Sequence, residues 1–379
     1  MALGTIGTNQ IASEAVTVPK VTDQVLSSRN LVINGSCKIH QRGGTTGITN
    51  ANSGYYGPDR FKFNEDGTMT AVVSIERETL TSGNAFNDGN LYAYKLSVTT
   101  ADTAVAADIY TRITHRFEKD NLASLSKGTS SAKSVTLSFW VKATVTGTNV
   151  VEFFDQVNSR QVGATYTISS SNTWEYKTVT FPADTSGALG SGNGLAAEIN
   201  FVLQAGSNYT SGTLDTSWAS ETAANRAAGH NSNHFSSTSN TFHFTAVQLE
   251  VGVATPFEHR SFGDELLRCQ RYLYRLETES TSGAFANLTG WNTNDTYGPI
   301  LYPVEMRAAP TLSIGAEPAD FLILSAGTNP NPTELYSNGS SKRMMELRIS
   351  STGNVVAGRS YWARISDVTN GFIQWDAEL

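Results

Sequence analysis

Cysteine is nearly absent from this chain of 379 residues: only Cys37 and Cys269 occur, in different segments and without the close spacing of metal ligands. A disulfide framework and a zinc site are therefore excluded as the basis of the fold, and both residues are expected as buried free thiols formed in a reducing cytosol. Positive charge is also scarce. Lys and Arg number 27 against 34 Asp and Glu, giving a net charge of -7 and a pI near 5.4, with no basic run anywhere. That balance does not build a surface that neutralises phosphates, so nucleic acid is not an expected partner. No apolar run approaches the roughly 18 to 20 residues that span a bilayer, and the start of the chain lacks the basic region and apolar core of a signal peptide. Membrane insertion is not expected, and a role outside the cell would follow release by lysis rather than secretion.

The usual catalytic signatures are missing as well. There is no phosphate-cradling loop ending in Lys-Ser/Thr, no Gly-x-Ser-x-Gly elbow and no Cys-x-x-Cys pair, and no cofactor is implied. The G-S-G-N-G run at residues 190–194 is followed by neither a basic residue nor a helical pattern, and reads as a hairpin loop. What fills the chain is Thr, Ser, Asn and 32 Gly around 39% hydrophobic residues, the profile of strands and turns. The length calls for two or three separate cores.

Four regions follow from the patterning. In residues 1–29, Met1, Ile6, Ile11, Val16, Val21 and Leu26 recur every five positions, a period that fits neither helix nor strand. So short a segment cannot bury that stripe alone; it reads as an extended thread covered by its own copies or by a partner's groove. Residues 30–260 alternate as strands, most cleanly at Val135, Leu137, Phe139 and Val141 and from Leu195 to Leu203, with a strand also expected from Leu31 to Ile39. Two packed antiparallel sheets, a jelly-roll sandwich, are expected here, and the phase change between Phe242, Phe244 and Val247, Leu249, Val251 calls for a β-bulge. Residues 261–278 are predicted as a connecting helix: Ser261 and Asp264 form a capping box, and Leu266, Cys269, Leu273 and Leu276 form one apolar seam facing another domain or the seam's own copies. Strands return in residues 279–379 as a smaller β-domain punctuated by Pro310, Pro318, Pro330 and Pro332.

Function is expected on the loops, above all on Gly206 to Asn240, which is too long for a simple connection. Sugar recognition needs aromatic faces beside amides and acids, and Tyr209, Asp215, Trp218, Asn225, His230 and Asn231 supply that mixture within this one stretch. Tyr55, Tyr56, Trp291 and Tyr297 are secondary candidates. Trp140 is out of phase with Phe139 on its strand and belongs to the opposite face, which another subunit could cover. His230 and His234 stand four apart, but Gly229 and the intervening Asn-Ser-Asn oppose a helix, so a solvated loop is expected, with a metal on an oligomer axis as the alternative, and the metal stays unknown. A glycoside hydrolase would need two carboxylates, and Asp59, Asp66, Asp88, Asp155, Asp215 and Glu221 are available but read as solvated loop acids.

Four segments resemble a family of phage tail-fibre and receptor-binding proteins, especially those of marine and cyanobacterial phages. They are N-L-V-I-N-G-S-C-K-I-H-Q-R at 30–42, Y-G-P-D-R-F-K-F at 56–63, V-Q-L-E-V-G-V-A-T-P-F-E-H-R-S-F-G-D-E-L-L-R-C-Q-R-Y-L-Y at 247–274, and P-V-E-M-R-A-A-P-T at 303–311 together with the closing W-D-A-E-L. The leader also resembles a segment common near the start of such proteins. The resemblance implies a jelly roll like that of carbohydrate-binding modules, usually trimeric, anchored to the virion through Ile6, Ile11, Val16 and Val21, and it supplies no ligand contacts. A non-enzymatic virion subunit that contacts host polysaccharide is the first expectation. A head fibre, capsid decoration or tail accessory without a glycan is the second, and a depolymerase the third.

Overall fold

A computed structural model describes residues 29–48, 53–277, 283–315, 318–327, 329–367 and 371–379. The leader residues Ile6, Ile11, Val16 and Val21 lie outside them. The chain is all-β, and residues 30–251 form a jelly-roll sandwich. One sheet runs, edge to edge, Thr45–Ile48, Val72–Thr79, Tyr92–Thr100, Thr241–Val251, Val135–Ala143 and Glu175–Phe181. The second runs Ala219–Ser220, Arg160–Ile168, Gly147–Asp155, Leu195–Ala205, Tyr110–Glu118, Phe61–Asp66 and Gly54–Tyr55. All these pairings are antiparallel.

Alternation decides which face goes inside. Leu137, Phe139 and Val141 from the first sheet meet Ile113, Phe153, Ile199 and Phe201 from the second, all fully or almost fully buried. Phe139 and Phe201 meet edge to face at 5.1 Å. Each such side chain contributes roughly 1.5–3 kcal/mol by burial, so the interior is a continuous apolar slab. The bulge is where the phase change places it: the register breaks between Thr245 and Gln248, and Ala246 takes a left-handed φ of 51°.

Three expectations are corrected. Leu31 to Ile39 is not a strand. Asn34 and Cys37 adopt φ of 62° and 55°, which stops extended pairing, and the segment is held instead by the Asn34 amide bonding the Ile39 and Asp59 carbonyls. The 190–194 glycines do not close a hairpin, because they lie on the crossing from Glu175–Phe181 in one sheet to Leu195–Ala205 in the other. The helix spans only Phe262–Gln270, and Leu273 and Leu276 belong to the strand Leu273–Glu277. Pairing of that strand with Phe372–Asp376 overrides the local helical spacing.

The C-terminal domain adds two sheets. Leu273–Glu277, Phe372–Asp376 and Thr311–Gly315 form the smaller. The larger runs Phe321–Leu324, Ser360–Ile365, Ala284–Gly290, Asp295–Leu301, Met344–Ser351 and Pro332–Ser340. Trp375, Tyr361, Leu347 and Ile349 are central to a second core. Cys37 and Cys269 are both buried free thiols. Among the described residues no helix is long and apolar enough to cross a membrane.

Candidate functional site

The long segment after Gly206 does not stand away from the sandwich; it lies along the outer face and round the edge of the second sheet, where Ala219–Ser220 pairs with Arg160–Ile168 and Trp218 packs against the interior. A hydrogen-bonded row prepares that face. Asn64 donates to Thr114 at 2.8 Å, Thr114 to Asn200 at 2.7 Å, and Asn200 to Glu152 at 2.9 Å. Glu152 also accepts from the Tyr110 hydroxyl at 3.0 Å and from both Nε and Nη2 of Arg226 at 2.8 Å. Arg226 belongs to the long segment, so its bidentate pair with Glu152 fastens the segment to the sheet. The residues singled out in the sequence are used in the same way. Tyr209 stacks on Tyr110 at 4.6 Å, and Trp218 meets Phe153 at 5.2 Å while its indole N–H donates to the Pro182 carbonyl at 2.9 Å. Asp215 accepts from Gln161 and Asn225 at 2.6 and 3.0 Å, and the Asn231 side chain accepts from the Thr148 N–H at 2.8 Å.

The histidine pair is not solvated. His234 is buried, 2.8 Å from Asn149, and burial together with repulsion from His230 pushes its imidazole down to about 3. His230 is pushed by burial down to about 4. Both imidazoles are therefore neutral within the folded segment. Among the described residues no group of three or more His, Cys, Asp or Glu is placed to hold a metal. Each candidate acid has a structural partner: Gln41 for Asp59, Arg112 for Asp66, Trp140 for Asp88, Lys127 for Asp155, Gln161 for Asp215 and Arg226 for Glu221. Asp59 and Asp155 are buried rather than solvated, because each bonds main-chain and side-chain donors that hold loops in place.

The first sheet presents a more open face. Trp140 pairs directly with Tyr176 on the neighbouring strand, their rings 5.4 Å apart and tilted by 53°. Tyr176 is 43% exposed, and the next outward position beside it on its strand is the exposed Thr178. The Trp140 indole N–H donates to Asp88 at 3.1 Å, which fixes the ring plane from the turn after the helical Asn84–Asn87. Trp174, with the Lys142 ammonium 5.0 Å over its ring, is buried with Leu80, Ala85 and Ala93, and Trp140 packs against this small cluster. The phase of Trp140 was legible in the sequence; Tyr176 was missed, because only register shows which residue lies opposite. The secondary candidates separate: Trp291 and Tyr297 meet at 6.0 Å on the C-terminal domain, whereas the Tyr55 hydroxyl bonds the Leu379 carbonyl at 3.1 Å. Tyr56 packs partly buried against the sandwich core.

The four segments that carry the family resemblance converge on one joint between the domains. The Asn30 side chain bonds the Val247 carbonyl and the Leu249 N–H, while Arg29 reaches the Pro256 carbonyl and the Asn30 N–H donates to Glu258 at 2.7 Å. Glu265 accepts from the Asn34 N–H at 2.6 Å, and Arg260 bonds the carbonyls of Asn30 and Val32. Arg60, fully buried, pairs with Glu378 and lies 3.4 Å over the Tyr272 ring. Arg42 pairs with Asp376 at 3.0 Å, Arg271 with Glu118 at 2.7 Å, and Arg307 donates to the Ala377 and Glu378 carbonyls. Leu266 and Cys269 pack with Ile33, Ile39, Tyr272 and Leu379, and Leu276 packs on the C-terminal core.

No family model and no curated protein matches the chain. Solved structures that match include the enzymatically active domain of tailspike protein 4 of bacteriophage CBA120, at 14% identity and a TM-score of 0.30, over 59% of this chain and 22% of that one. The family 11 carbohydrate-binding module of a cellulosomal cellulase of Clostridium thermocellum matches at 12% identity and 0.27, over 58% and 98%. A xylan-binding family 22 module of Paenibacillus barcinonensis matches at 15% and 0.25, over 50% and 91%.

Proposed function

We propose that this chain is a non-catalytic structural subunit of a phage virion, a tail fibre or receptor-binding protein that contacts host-surface glycans. In this reading residues 1–29 hold it to other virion proteins, the working form is a homo-oligomer, a trimer, and neither nucleic acid nor a membrane is a partner. The reading draws on the resemblance of residues 30–42, 56–63, 247–274 and 303–311. The observation that carries the glycan contact is the Trp140 and Tyr176 pair on an open sheet face, flanked by the Thr178 hydroxyl. Aromatic rings with fixed planes stack on the apolar faces of sugars while nearby hydroxyls and acids take the sugar hydroxyls.

The test is saturable binding of the purified protein to susceptible cells and to their isolated polysaccharide. Replacing Trp140 and Tyr176 together by alanine is expected to lower affinity at least about tenfold, because each ring supplies both area and orientation. Protein that labels the virion yet binds no susceptible strain sinks the reading. A second reading, a head fibre or capsid decoration without a glycan ligand, is favoured by one observation: the long segment spends its aromatic and polar groups on contacts within the sandwich. Imaging labelled particles separates the two, with tail labelling expected for the first and head labelling for the second.

A further inference from the structure

The outward face of the larger C-terminal sheet carries a cleft that the sandwich reading does not use. Its volume is about 470 Å³, and Leu324, Ser325, Ala326, Ser360, Trp362 and Arg364 line it. That size lies within the roughly 300–1,000 Å³ of small-ligand clefts. Trp362 is 54% exposed, lying between Leu324 on one neighbouring strand and Asn287 on the other. An open indole face at a cleft offers a flat apolar platform on which a ring can stack. Beside it, the Arg364 guanidinium lies 5.6 Å from the ring centroid, and its Nε is buried without a hydrogen-bond acceptor among the described residues. Among the described residues no Asp or Glu lines the cleft, although the chain as a whole carries a net charge of -7. Ser360 donates to Asn287 at 2.6 Å, which places a hydroxyl and an amide at the edge of the ring. Arg359 bonds the Ala326 carbonyl at the rim and adds a second positive charge there.

An open indole face, a guanidinium at its edge, and neutral hydrogen-bonding groups around both fit one chemistry. We propose that this cleft binds an acidic sugar unit of a polysaccharide, such as a uronate or a sialate. The ring of the sugar stacks on Trp362, its carboxylate takes the Arg364 guanidinium, and its hydroxyls reach Ser360, Asn287 and Ser325. A planar guanidinium recognises carboxylate geometry better than a lysine would. The proposal rests on the chain being a glycan binder, but the site lies on the other domain from Trp140 and Tyr176, so the two fail separately.

The experiment titrates the full chain by calorimetry with oligosaccharides of alginate, polygalacturonate and polysialic acid, each beside its carboxyl-reduced, neutral counterpart. At least one acidic series is expected to bind, and to weaken about tenfold or more on carboxyl reduction. Arg364→Gln and Trp362→Ala are each expected to weaken it about tenfold or more, Trp362→Phe less, and added salt to weaken it progressively. The Trp140→Ala, Tyr176→Ala variant is expected to leave it unchanged. Trp362 is half exposed, so its replacement is not expected to disturb folding, and a thermal melt checks this. Equal affinity for acidic and reduced forms, no binding of any of the three, or variants that bind like the parent overturn the proposal. So does a changed sedimentation mass in Trp362→Ala, which would make this face a contact between copies of the chain.

Discussion

Arg60 shows how much a single residue carries in this protein. Its guanidinium is wholly removed from water, faces Glu378 and covers the Tyr272 ring, so its charge is matched only while the domains are joined. Arg60→Ala leaves Glu378 buried without its main counter-ion, and is expected to cost about 3–5 kcal/mol in urea unfolding. Replacing both partners, Arg60→Met with Glu378→Gln, is expected to cost clearly less than the sum of the single changes. Additive losses would show that the two do not act as a pair. Histidine gives a second residue-scale expectation. His230 and His234 are held at about 4 and 3 by burial, against a usual value near 6.5. The unfolded chain takes up protons below about pH 6.5 and the folded chain does not, so stability is complete above that pH and falls as pH drops towards 4. The urea midpoint is expected to fall between pH 7 and pH 5, each histidine contributing up to about 1.4 kcal/mol per pH unit. His234→Gln is expected to shed one such share, and an unchanged slope would contradict it.

At the scale of the element, the bulge at Ala246 is the sharpest departure from regularity. Its left-handed backbone costs an ordinary residue about 1–2 kcal/mol, whereas glycine adopts it freely. Ala246→Gly is therefore expected to be nearly neutral in thermal unfolding, although it removes a buried methyl. Ala93→Gly, in the regular strand Tyr92–Thr100, is expected to cost about 1 kcal/mol or more. The connecting helix is capped as its sequence implies, with the Ser261 hydroxyl accepting from the Asp264 N–H at 3.2 Å. Ser261→Ala is expected to cost about 1 kcal/mol, seen as faster hydrogen exchange in the first turn. Strands such as Val135–Ala143 were legible because apolar Val135, Leu137, Phe139 and Val141 alternate with polar Thr136, Ser138 and Lys142. The end of the helix was not legible: Leu273 and Leu276 keep a helical spacing, and the strand that claims them lies about a hundred residues further on.

Across the whole molecule, local pattern reveals cores but not what closes one body onto another. The sandwich could be read from alternation at Leu137, Phe139 and Val141. The joint could not, since Asn30 answers Val247, Arg60 answers Glu378 and Arg42 answers Asp376 over separations that no periodicity records. The long segment illustrates the same limit. Tyr209, Asp215, Trp218 and Asn225 have the composition of a sugar site, but composition does not distinguish rings turned outward from rings laid on Tyr110 and Phe153.

The clasp formed by Arg29 with Pro256 and by Asn30 with Glu258 means that the chain enters and leaves the sandwich at the same place. Tension between residue 29 and the C-terminal domain is thus taken up first by this clasp, and the bonds of Asn30 to Val247 and Leu249 pass part of it to the single strand Thr241–Val251. Most of the sandwich hangs beside the line of force like a float tied to a rope, moored by that one strand.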